Sequence, residues 1–103
     1  MGKLHEIYVE ALLEHLDGLQ EKRNMGMYHL SDELLDLEHA IKDADLTDRQ
    51  LAAIELYFAQ GYTQHEAAPM LGVSRQMVAK HLESAIRKIA NIYEQWEALD
   101  YEF

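Results

Sequence analysis

The sequence predicts an all-α fold of about five helices, and three observations lead there. Apolar residues recur at three- and four-residue spacing, serine or threonine stands ahead of several such segments as a cap, and no segment alternates apolar and polar residues as a strand would. Leu4, Tyr8, Ala11, Leu12, Leu16 and Leu19 form the expected buried stripe of a first helix, with Glu6, Glu10, Glu14, Asp17 and Glu21 on its opposite side. Lys22 and Arg23 complement the dipole at its C-terminal end, and the stretch from Asn24 to His29, with Gly26, reads as a loop. Ser31 caps a second helix. It has Asp32 and Glu33 in its first turn, Leu34, Leu37 and Ile41 facing inward, and its end at Asp43-Ala44-Asp45. Residues 1–45 are therefore expected to form an acidic helical hairpin for partner contact or oligomerisation.

Residues 46–103 carry sharper signals. Thr47 and Gln50 form a capping box ahead of Leu51, Ile54, Tyr57 and Phe58, and this third helix is expected to stop near Gly61. Thr63 and Glu66 form a second box, opening a short helix with Ala67, Ala68, Met70 and Leu71 that Gly72 terminates. Pro69 lies inside this helix, where it removes one backbone hydrogen bond and is expected to kink it. Ser74 caps a long last helix with Val78, Leu82, Ala85, Ile86, Ile89 and Tyr93 on one face, extended by Trp96 and Leu99. A short helix, a tight turn containing Gly72 and Val73, and a capped second helix with polar first turns is the helix-turn-helix plan. The two halves are expected to pack as one compact unit.

Composition bounds the function. A chain of 103 residues with 49% hydrophobic content can build a core without staples, and with no cysteine it has neither disulfides nor thiolate metal sites. No apolar run is long enough to span a bilayer and the N-terminus turns polar too soon for a signal peptide, so a cytoplasmic protein with no membrane contact is expected. The formal net charge of −10 is unusual for a protein that binds phosphate. Most of the acid precedes Thr47, whereas Arg75, Lys80, Arg87 and Lys88 face only Glu83 between Gly72 and Tyr93.

The runs Leu46-Thr47-Asp48-Arg49-Gln50, Gly61-Tyr62-Thr63 with Glu66, Gly72-Val73-Ser74-Arg75 and Ala85-Ile86-Arg87-Lys88-Ile89 resemble region four of bacterial sigma factors. LuxR-type domains are similar in Leu46-Thr47-x-Arg49 and in Ser74 with Val78, but Leu82, Ala85 and the Arg87-Lys88-Ile89 run suit the sigma version better. The resemblance implies a domain that reads the promoter −35 element. It also implies that Arg75, Gln76 and Lys80 face the major groove, that Arg49 contacts phosphate, and that Thr63 and Ser74 hold helix N-termini against the backbone. Ala79 stands where the family often has a basic DNA contact, so one contact is lost. Nothing before Leu46 resembles the sigma domain that melts the −10 element.

The acidic stripe Glu6, Glu10, Glu14, Asp17 and Glu21 reads first as a solubilising face, and as a surface for a basic partner if it is more. Repelled by DNA, it is expected to point away from the duplex and towards RNA polymerase, another regulator or a second copy of the chain. Of the six histidines, none sits in a tight ligand set, so no metal or other cofactor is expected. His81, on the recognition helix, is expected to raise DNA affinity as pH falls. Arg87 and Lys88, far down the long helix, are expected to be solvated or to contact the DNA backbone rather than to read bases. Tyr93, Trp96, Leu99, Tyr101 and Phe103 are expected to cover the N-terminal hairpin, with a homodimer contact as the alternative. A dimer would suit an inverted-repeat site with recognition helices about 34 Å apart. There is no phosphate loop or nucleophile motif, so an enzyme is not expected. The reading is a sequence-specific transcription regulator that binds double-stranded DNA. The alternatives are a phage DNA-packaging protein resembling small terminase subunits, and an acidic module that binds protein rather than DNA.

Overall fold

The computed structural model of the chain describes residues 2–16 and 32–101. They form five helices: α1 (Gly2–Leu13), α2 (Asp32–Asp43), α3 (Asp48–Ile54), α4 (Gln64–Leu71) and α5 (Arg75–Tyr101), with a π-helical turn over Glu55–Ala59 continuing α3. No strand occurs among the described residues. The expected loop, the Ser31 cap, Leu19, Lys22, Arg23, Asp17, Glu21 and Phe103 lie outside them.

Helix α5 has 27 residues and so runs about 40 Å. All four other helices pack against it. Val78, Leu82, Ala85 and Ile89 share one of its faces and are buried, together with Ala90. Ile86, Tyr93 and Trp96 pack along the margin. Leu99, expected to extend this face, is instead 56% exposed. Its cover runs out there, because His5, near the start of α1, already pairs with Glu97.

Helix α1 buries Val9, Leu12 and Leu13, with Leu16 at the edge. The expected stripe is corrected at three positions: Leu4 is 75% exposed, and Tyr8 and Ala11 are also exposed. Apolar residues occupy positions 4, 7, 8, 9, 11, 12 and 13 and so cover more than one face, and packing between α5 and α2 selects the edge carrying Val9 and Leu13. The helix also ends at Leu13, before Leu19. There the His15 N–H donates to the Leu12 carbonyl at 3.0 Å, a tightened closing turn. Tyr8 still meets Tyr93 edge-on at 5.6 Å between centroids, and Tyr93 meets Trp96 at 5.1 Å, so these aromatics do cover part of α1.

Helix α2 follows expectation, with Leu37 and Ala40 buried and Leu34 and Ile41 at the margin. Asp45, with φ of 52°, turns the chain out of the helix. In α3 the capping box is complete: Thr47 Oγ1 accepts from the Gln50 N–H at 3.2 Å, and Gln50 Oε1 accepts from the Thr47 N–H at 3.1 Å. The same Oε1 accepts from Lys88 Nζ at 2.9 Å, so Lys88 is tied to α3 rather than solvated. This inward turn of Gln50 rotates the expected face. Leu51 is 46% exposed, while Gln50, Ala53, Ile54 and Phe58 are buried. Across the π-helical turn the Gln60 N–H donates to the Glu55 carbonyl five residues back, at 2.9 Å.

Helix α4 runs without interruption through Pro69. Its end is a Schellman motif: the Val73 N–H reaches the Ala68 carbonyl at 3.0 Å and the Gly72 N–H the Pro69 carbonyl at 3.3 Å. Gly72 has φ of 68°, and nothing lies within 4 Å of a Cβ placed on it. Backbone conformation, not space, therefore calls for glycine.

Two stability measurements test these contacts. Gly72→Ala is expected to lower stability to urea by about 1 kcal/mol, from the left-handed backbone alone. Lys88→Met is expected to cost about 1 kcal/mol by removing one of the two donors to Gln50 Oε1. An unchanged unfolding midpoint in either variant would contradict the role given to that contact.

Candidate nucleic-acid interface

Helices α4 and α5 meet across residues 72–74. Ala67 and Ala68 are buried at the crossing, small enough for close approach, and Val73 packs against the core between the two helices. Ser74 Oγ accepts from the Met77 N–H at 3.2 Å and so fixes the start of α5. Arg75, Gln76 and Lys80 are exposed on the first turns, with Ala79 half-buried beside them. Gln76 and Lys80, four apart, share one face. Neither Arg75 nor Lys80 has an ion-pair partner among the described residues. Met77, 39% exposed on the same turn, sets an apolar side chain beside them. Sequence reasoning missed it, although its place directly after Gln76 was the available signal.

Arg49 is exposed in the first turn of α3, and Thr63 is exposed at the cap of α4. Thr63 Oγ1 accepts from the Glu66 N–H at 3.1 Å and Glu66 Oε1 accepts from the Thr63 N–H at 3.0 Å. The positive end of α4 thus already holds a carboxylate. The Gln64 and His65 N–H groups, in the first turn, remain without intrahelical acceptors.

Two expectations change here. The Nε2 of His81 is buried without a hydrogen-bond partner among the described residues, so this nitrogen does not belong to the exposed face of α5. Of the acidic stripe, the described members Glu6, Glu10 and Glu14 stand beside the start of α4 and Ala79 rather than opposite them. A groove of about 340 Å³ between α1 and α5 is lined by Lys3, Glu6 and Glu10 together with Gln64, Ala79 and Glu83. A second, of about 350 Å³, is lined by Glu10 and Glu14 with Gly61, Tyr62 and Thr63. Helical geometry explains this: Glu6, Glu10 and Glu14 each follow a residue of the inward edge, His5, Val9 and Leu13, and so stand only about 100° around the helix from it. Glu6 pairs with Arg87 at 3.8 Å, and Arg87 meets Glu83 at 3.4 Å. Arg87 is therefore engaged by protein acids, not merely solvated.

The hydrogen bond from the Thr63 backbone N–H, and then the Thr63 hydroxyl, hold the Glu66 carboxyl below the usual glutamate value of 4.5. A depressed folded value means that this cap contributes fully above about pH 4.5 and is lost as pH falls through the lower folded value. Carboxyl NMR should find Glu66 titrating below 4.5, with Thr63→Ala moving it back up. A titration at or above 4.5 in the unsubstituted protein would contradict the capping geometry.

Comparison with known proteins agrees with this geometry. No curated protein and no solved structure matches the chain. Residues 44–91 match the family model described as Sigma-70, region 4, a span that takes in α3, the π-helical turn, α4 and the first half of α5. No helix among the described residues is long and apolar enough to cross a membrane. Over residues 44–91 the chain is thus similar to sigma-70 region 4, a helix-turn-helix DNA-binding domain.

Proposed function

We propose that this protein is a sequence-specific transcription regulator of bacterial or phage type, which reads the major groove with the first two turns of α5. The observation that carries this reading is the exposed set Arg75, Gln76 and Lys80 at the capped start of a helix inside the matched segment. An arginine can pair bidentately with guanine and a glutamine with adenine, each discriminating by about 1 to 3 kcal/mol. Lys80 and Met77 extend the contact to a neighbouring base pair. Arg49 and the α4 N-terminus at Thr63 flank this face and orient the helix through phosphates.

Selection of sites from a random duplex pool at low salt, run on the wild type and on an Arg75→Ala, Gln76→Ala variant, tests the reading. The wild type is expected to enrich a defined site that the variant fails to enrich. Enrichment of the same site by both would move base reading off this helix. If neither enriches any sequence, specific readout is wrong.

A further inference from the structure

We propose that Glu10 and Glu14 limit the affinity of the duplex-facing surface, repelling phosphate from the N-terminus of α4 so that only duplex held by base contacts is retained. This rests on the DNA-binding reading above. Both carboxylates are exposed, Glu10 on the last turn of α1 and Glu14 directly after its end, and neither has an ion-pair partner among the described residues. Glu6, on the same stripe, is answered by Arg87. Glu10 and Glu14 share a groove with Thr63, and Glu10 borders Gln64 and Ala79 as well.

Lys3 borders the groove that holds Glu6 and Glu10, but no cation lines the one that Glu10 and Glu14 share with Thr63. Position 79 is alanine, and the positive end of α4 is already met by Glu66. A phosphate approaching Thr63 therefore encounters Glu10, Glu14 and Glu66 together. The backbone positions of both acids are held by the docking of α1, whose Val9, Leu12 and Leu13 are buried and whose His5 is paired with Glu97. Repulsion of phosphate does not depend on sequence. It lowers affinity for every duplex alike and so raises the threshold that contacts from Arg75 and Gln76 must overcome.

The test measures binding of the full chain to a labelled random-sequence duplex at about 50 and about 300 mM salt, where the screening length falls below about 10 Å. Three proteins are compared: the wild type, Glu10→Gln with Glu14→Gln, and Glu33→Gln with Asp36→Asn. The last pair removes the same charge from α2. Asp36 lies close enough to Tyr93 to influence its phenol, and Tyr93 is about 27 Å along α5 from Arg75. The α1 variant is expected to bind about tenfold more tightly than the wild type at low salt, with the gap closing at high salt, and the α2 variant to stay within about twofold. All substituted side chains are exposed, so each variant is expected to keep its helices, which circular dichroism checks. An equal gain in both variants, a gain that persists at high salt, or no gain over a wild type that itself binds overturns the proposal while leaving DNA binding intact. If none of the three binds duplex at low salt, the DNA-binding reading fails and the proposal with it.

Discussion

Burial of one face of α5 organises the rest of the molecule. Val78, Leu82, Ala85 and Ile89 are the surface on which α1, α2, α3 and α4 converge, and Gln76 and Lys80 are carried by the same few turns. A side chain of this kind gains roughly 1.5 to 3 kcal/mol on burial, and whole domains are stable by only about 5 to 15. The orientation of the polar first turns is therefore as firmly determined as the core itself. The exposed polar turns and the scaffold belong to one helix.

Polar contacts then set the angles at which the shorter helices meet that axis. Two capping boxes start α3 and α4, the Schellman motif at Gly72 ends α4, and Ser74 starts α5. Gln50 does more than cap, because its Oε1 joins the start of α3 to Lys88 on α5, thirty-eight residues along the chain. That bond places the first turn of α3, and Arg49 with it, at a defined offset from the recognition helix. The phenol of Tyr93 is of another kind: its buried hydroxyl has no partner among the described residues, and burial, ahead of nearby Tyr8 and Asp36, raises its ionisation far above the usual range.

Local chemistry was legible in the sequence and long-range packing was not. The caps at Thr47, Thr63 and Ser74 and the turn at Gly72 depend on residues within four positions of one another, and residue type alone announces them. The buried edge of α1 depends on which neighbours it meets, and with apolar residues at 4, 7, 8, 9, 11, 12 and 13 the chain offers several edges. The π-helical turn at Glu55–Ala59 widens the helix by one residue and needs no special residue type, so nothing in the composition marks it. The exposed set Arg75, Gln76 and Lys80 was readable because the turn fixes its phase. Whether Glu10 faces solvent alone or shares a groove with Thr63 was decided by how α1 docks.

The aromatic seam between α1 and α5 gives the molecule an internal optical reporter. Trp96 is the one tryptophan in the chain, half-buried against Tyr93, which in turn meets Tyr8 on α1. Its emission is therefore sensitive to whether α1 is seated. It lies about 30 Å along the helix from Arg75, beyond direct contact with anything held at the first turns. Fluorescence can thus follow the attachment of the acidic helix while the other end of α5 is occupied, with no label added.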